Sequence, residues 1–338
     1  MERLLKSRYR IRDKIGESPF SITYRGTFLE GEENLVIKIY KRSVLSSHLI
    51  KSVKRKVKDL SNLTHSSVAK VIDGDYGWQG FYFVREYVNG KSLSEILSIE
   101  PRIDPERALK IIFGICEALA AAHSKGIIHG ALNPNNVILA DGDSVKLTDF
   151  ILMGDMRGSL GERAQMAYSQ SGFLSPEEVM GEISTRATDI YSVGLLSYLM
   201  LCGRHPFVGK SDLEMSLNIM RNSPDRLRGI KGDIPSYLED IVLRALEKNP
   251  GMRFKSISNL MSSLRGKSIQ EDIVVDNEFS EISLDGLIET ANQDYEPPPG
   301  QQEVKEGSRP KIVLVASAII LAALFGIGYA VVNALMNR

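Results

Sequence analysis

The hydrophobic pattern changes period once along the chain, and that change limits the folds open to it. Up to about residue 90 apolar positions alternate, in Tyr9-Arg10-Ile11, Ser21-Ile22-Thr23-Tyr24-Arg25-Gly26, Leu35-Val36-Ile37-Lys38-Ile39-Tyr40 and Phe81-Tyr82-Phe83-Val84. A period of two sends successive side chains to opposite faces, which predicts half-buried strands. One helical stretch, Ser43 to Leu63, interrupts them and carries Lys51, Lys54, Arg55, Lys56 and Lys58. After the Asn89-Gly90 turn and Ser92-Leu93, apolar residues recur at three-to-four spacing over 105–125, 189–203, 236–247 and 256–264. Strands first and helices afterwards predict an α+β fold, with a small sheet lobe at 1–90 and a larger helical lobe at 91–266.

Charge excludes some functions and divides the chain. The 338 residues carry 42 basic and 42 acidic side chains, which argues against a nucleic-acid-binding protein. From Gln270 onward there are eleven acidic and four basic residues, which leaves 38 of the basic and 31 of the acidic ones before it. The acidic stretch at 267–311, with Pro297-Pro298-Pro299-Gly300, reads as a linker. Two cysteines, Cys116 and Cys202, cannot build a disulfide framework and point to a reducing compartment. The five histidines show no metal-ligand spacing.

Ile312 to Val332 holds no charged residue over 21 positions. As a helix it would reach about 31 Å, the thickness of a bilayer's hydrocarbon core, so it predicts a transmembrane anchor with a short tail at 333–338. No cleavable leader opens the sequence. Arg309 and Lys311 on one side of the span, against Arg338 on the other, place the N-terminal lobes in the cytoplasm, with no sensor domain expected across the membrane. Ala318, Ala322, Gly326 and Ala330 within the span, and Ala334 just past it, recur every fourth residue, a stripe of small side chains through which two copies could self-associate.

A series of short motifs runs through the lobes: Ile15-Gly16, Val36-Ile37-Lys38, His129-Gly130-Ala131-Leu132-Asn133-Pro134-Asn135-Asn136, Lys146-Leu147-Thr148-Asp149-Phe150-Ile151, Ser175-Pro176-Glu177, Asp189-Ile190-Tyr191-Ser192-Val193-Gly194, and Arg253 after Asn249-Pro250. Each is weak alone. In this order and spacing, over roughly residues 9–265, the chain resembles the eukaryotic-type (Hanks-type) Ser/Thr protein kinases. The resemblance implies a two-lobed fold and a cleft for ATP and magnesium. It assigns Gly16, Lys38, Glu86 and Val88 to the nucleotide and Asn136 and Asp149 to the metal. It also implies a Glu177–Arg253 ion pair and an Asp189 brace for the catalytic loop.

The same alignment shows departures. Phosphoryl transfer rests on positioning and charge neutralisation, so each altered part has a stated consequence. The phosphate loop reads Gly16-Glu17-Ser18-Pro19-Phe20-Ser21, with serine at two glycine positions and a proline that removes an N–H donor. Lys56 stands where the family places the glutamate that pairs with Lys38, and a lysine there would repel it. Ala131 replaces the aspartate that accepts the substrate hydroxyl's proton, and Asn133 and Gly130 replace a phosphate-contacting lysine and an arginine. Gln170 replaces an activation-segment threonine, and Ile151 the glycine after Asp149-Phe150. Val36 crowds the adenine pocket, and Arg85 falls at its back wall, where it could fill the pocket or pair with Asp149. Fold-maintaining residues stay while chemistry-performing residues go. The expectation is therefore a membrane-anchored pseudokinase that works as a signalling or scaffolding module through protein partners. An active Ser/Thr kinase with a non-standard base is the alternative.

Overall fold

The structure is a computed structural model that describes residues 3–18, 21–41, 49–77, 80–150 and 172–266. The chain divides into two units, Met1–Ile273 and Val274–Arg338, and the second lies outside the described residues. So do Ile312 to Val332, the linker, Ile151 and Gln170. Among the described residues no helix is long and apolar enough to cross a membrane.

Six antiparallel strands form the first sheet: β1 (Arg3–Leu5), β2 (Tyr9–Glu17), β3 (Ser21–Phe28), β4 (Asn34–Tyr40), β5 (Val71–Gly77) and β6 (Gly80–Glu86), in the order β1-β2-β3-β4-β6-β5. Alternation along β4 and β6 gives the sheet two differently used faces. Leu35, Ile37 and Ile39 pack with Tyr82, Val84, Tyr9 and Leu5 in a small core on one face. The opposite parity carries Val36, Lys38 and Tyr40 on β4, and Phe81, Phe83 and Arg85 on β6. Tyr40, Phe81 and Phe83 join the main core there, under helix α1 (Leu49–Ser61), whose Val53, Val57 and Leu60 point inward. Gly74 in β5 makes this contact possible, since a Cβ there would lie 2.9 Å from Val57 Cγ2.

The helical lobe begins with a three-stranded sheet of β7 (Lys91–Ser92), β8 (Val137–Leu139) and β9 (Val145–Leu147), and with helix α2 (Leu93–Ile99). Ser92 caps α2 reciprocally with Glu95, a capping box that fixes where the helix starts. Asp104 caps α3 (Pro105–Ser124), with Pro105 at its first turn. After α4 (Pro176–Val179), helix α5 (Arg186–Cys202) is buried on nearly every side, as its apolar content requires, and ends at Gly203 in the left-handed conformation. Helices α6 (Asp212–Arg221), α7 (Leu227–Ile230), α8 (Ser236–Ala245) and α9 (Ile257–Gly266) complete the lobe. The four later helical stretches expected from spacing are thus present as α3, α5, α8 and α9. Cys116 and Cys202 are both free and buried.

The scaffold residues are engaged as the resemblance implied. Arg253, 1 % exposed, lays NH1 and NH2 on Glu177 Oε1 and Oε2, each at 2.7 Å. Its remaining hydrogens go to the carbonyls of Glu247, Ala187 and Lys248 at 2.8, 2.8 and 3.3 Å, so all five guanidinium donors are used. Thr188 Oγ1 donates to Glu177 Oε1 at 2.9 Å, and the guanidinium lies 4.8 Å from the Tyr191 ring centroid.

Candidate active site

Asp189 enters from the first turn of α5 and organises the segment that precedes Ala131. Its carboxylate accepts from the backbone N–H of His129 and of Gly130, each at 2.9 Å, and meets His123 Nε2 at 2.7 Å. Gly130 has φ +67°, a conformation that glycine adopts freely and arginine does not. The replacement of the family's arginine therefore fits the local backbone. His129 Nε2 lies 3.1 Å from the Thr148 carbonyl, and its ring stacks on Phe150 at a centroid distance of 4.5 Å. Burial, the largest influence, lowers the His129 pKa and favours the neutral ring.

Ala131 supplies its backbone rather than a side-chain acceptor. Its carbonyl receives Asn136 Nδ2 at 2.8 Å and Asn133 Nδ2 at 3.0 Å. Asn133 Oδ1 in turn accepts from the N–H of Asn135 at 2.9 Å, capping the short turn Pro134–Asn136. Asn133 is thus a turn-former, and its amide ties back onto the loop. The Asn136 carbonyl accepts from the N–H of Thr148 at 2.9 Å, which joins this loop to the strand leading into Asp149.

Lys38 and Asp149 meet directly, Nζ to Oδ2 at 2.7 Å, with side chains 19 % and 16 % exposed. Arg85 Nε stands 3.8 Å from Asp149 Oδ1. Burial pushes the Asp149 carboxyl upward, but Lys38 and Arg85 outweigh it, and the net shift is downward. Asp149 has φ +61°, unusual for a residue other than glycine. The carboxylate that Lys38 meets is therefore Asp149. Lys56, placed by sequence opposite Lys38, lines a separate basic cleft of about 210 Å³ with Arg55, Asp59, Lys125, Gly130 and Ser184.

Glu86 closes β6 and pairs its carboxylate with Lys146 Nζ at 2.7 Å, a partner the sequence reading did not assign. Its carbonyl accepts from Arg85 NH1 at 3.0 Å. Tyr87 N–H donates to the Asn34 carbonyl at 3.3 Å, and Val88 follows, half-buried, before β7. Gly16 lies in β2, paired across to Thr23. Beyond it the turn closes on itself: Ser18 N–H donates to the Ser21 carbonyl at 2.8 Å, and Ser21 N–H to Ser18 Oγ at 3.0 Å. Two N–H groups that could face a phosphate are thereby used internally; Pro19 and Phe20 lie outside the described residues.

These residues test the fit of magnesium and ATP. Asn136 Oδ1 and the Asp149 carboxylate are oxygen donors of the kind magnesium takes. However, Asp149 already faces two cations, and the phosphate loop has closed two of its own amides. As they stand, these groups do not fit a magnesium-bound triphosphate.

Comparison with known proteins agrees with the geometry on family. The family model described as a protein kinase domain matches residues 9–263. Serine/threonine-protein kinase PrkC of Bacillus subtilis is 25% identical over 262 residues, covering 77% of this chain and 40% of its own length. Serine/threonine-protein kinase PknB of Mycolicibacterium smegmatis is 28% identical over 268 residues, covering 77% of this chain and 43% of its own. The chain therefore spans about two fifths of the length of these relatives. The crystal structure of the PknI kinase domain of Mycobacterium tuberculosis superposes with a TM-score of 0.61 at 20% identity, covering 77% of this chain and 96% of that one, which shows the shared fold. With the two lobes, the Asp189-braced loop and the Lys38–Asp149 pair between β4 and the segment after β9, the chain belongs to the protein kinase family.

Proposed function

We propose that this chain is a kinase-family signalling or scaffolding module that does not transfer phosphate through a catalytic-loop base, and that protein partners, rather than turnover, carry its output. The observation that carries this reading is Ala131. A methyl group accepts no proton, and a positioned general base contributes about 10²–10⁴ in rate. The loop around it is fully ordered by Asp189, Asn133 and Asn136, so the vacancy is one of chemistry rather than of fold.

A second reading, an active Ser/Thr kinase with a different base, has its own support. Lys38, Asn136 and Asp149 are all present, and relatives such as PrkC and PknB are named serine/threonine-protein kinases. The likeness to named kinases favours this second reading over the first, whereas the residue at position 131 favours the first. Family membership implies ATP and magnesium in general.

One assay separates the two. The full chain is given ATP labelled in the γ-phosphate, a generic protein acceptor and magnesium or manganese, with Asp149→Ala in parallel. No incorporation above the Asp149→Ala control is expected from folded protein. Incorporation that disappears in the control would establish the active kinase.

The anchor at 312–332 and self-association through Ala318, Ala322, Gly326 and Ala330 form part of the same proposal, as does a cytoplasmic position for the lobes. Their support is the uncharged span and its small-residue stripe. Gly326→Ile is expected to disperse a dimer in detergent; a dimer left intact counts against the stripe.

A further inference from the structure

The Lys38–Asp149 pair has a third member, and among the described residues its charge does not balance. Val36 lies opposite Arg85, and Lys38 opposite Phe83, across β4 and β6. Lys38 and Arg85 therefore project from one face of neighbouring strands. Arg85 is fixed at two points. NH1 holds the Glu86 carbonyl at 3.0 Å, and Nε faces Asp149 Oδ1 at 3.8 Å. That Nε–H is buried and has no hydrogen-bond partner among the described residues. Two cations thus face one carboxylate. Glu86, the next residue along β6, is already closed by Lys146 at 2.7 Å.

A buried excess of positive charge with an unsatisfied donor is unfavourable until an anion joins it. A divalent cation beside Asp149 would deepen the excess, whereas a phosphate would relieve it. A guanidinium fork also matches phosphate oxygens geometrically. Resting on the family's general use of ATP, we propose that Arg85 takes the place of the divalent ion beside Asp149. The cleft then binds a nucleoside polyphosphate without metal, its phosphate oxygens held by Arg85 and Lys38. Binding of this kind forms and breaks no covalent bond.

The test is calorimetric titration of the full chain with ATP, once in excess EDTA and once in excess magnesium. Wild-type affinities are expected to agree within about threefold between the two buffers. Arg85→Met should bind at least about tenfold more weakly in EDTA and regain affinity when magnesium is added. Arg85→Gln, neutral but still able to reach the Glu86 carbonyl, guards against a folding failure of the methionine variant and should behave in the same way. Wild-type binding that requires magnesium, or no ATP binding in either buffer, overturns the proposal; so does metal-independent binding by the neutral variants. The readout is binding, so it stands or falls separately from phosphate transfer, which decides the Ala131 reading.

Discussion

Among the described residues two buried arginine–carboxylate sites are built to opposite standards. Around Arg253 every donor has a partner, and both oxygens of Glu177 are filled. Around Arg85, among the described residues, a donor is unpartnered and cations outnumber carboxylates. A closed network has no use for a ligand, since any addition would displace a bond already made. An open one invites an ion of the missing sign. The family's scaffold and its ligand site thus differ here less in composition than in how completely their hydrogen bonds are assigned.

The contrast can be tested by removing one partner at a time. Arg253→Ala strands Glu177 at 3 % exposure with no other cation on it among the described residues, and should destabilise the chain by about 3–5 kcal/mol in denaturant unfolding. Lys38→Met leaves Arg85 beside Asp149 as a second counter-ion, so its loss should be smaller, about 1–2 kcal/mol. Equal losses from the two variants would erase the distinction between closed and open sites.

The smallest effect is on pH dependence. Burial acts to raise the Glu177 pKa, but Arg253 more than offsets it, and the carboxyl sits below its ordinary 4.5; Asp149 sits below 3.8. An acid with a depressed folded pKa gives stability that is present above the unfolded value and lost as pH falls through the folded one. Both contributions are therefore lost only as pH falls below those ordinary values. His129, held below its ordinary 6.5 by burial, behaves differently, because the unfolded ring takes up a proton that the folded one refuses. Unfolding midpoints should begin to fall as pH drops through 6.5 and fall again below 4.5. A flat profile down to 4.5 would remove His129 from the account.

How far the sequence could be read follows the same division. The switch from period two to three-to-four spacing located β2, β3, β4 and β6 and the long helices, because burial of one face imposes that spacing. It missed β5, whose Val-Ile-Asp-Gly-Asp-Tyr-Gly looks like turn material. Tertiary partners override that composition. Tyr9 Oη donates to Asp73 Oδ2 at 2.9 Å, and Asp75 pairs with Lys6 and Lys54. Ala131, Asn133 and Gly130 were visible as departures because the motifs around them are local. The partner of Lys38 was not, since helix spacing pointed to Lys56, whereas Asp149 comes from 111 residues away. Arg85 could be placed against Asp149 from the alignment, but its bond to the Glu86 carbonyl required coordinates.

The Arg253 network also bears on how quickly the protein comes apart. Glu177 and Arg253 are separated by 76 residues. Closing so long a loop is entropically unfavourable until the helices between them have packed, which predicts that this ion pair forms late in folding. A contact absent from the transition state leaves the folding rate alone and slows escape from the native state. Arg253→Ala should therefore steepen loss of the native state with time, visible as a faster unfolding limb and an unchanged refolding limb. On this expectation the residue pair that anchors the helical lobe sets how long the native state lasts, and an unchanged unfolding limb in Arg253→Ala would refute it.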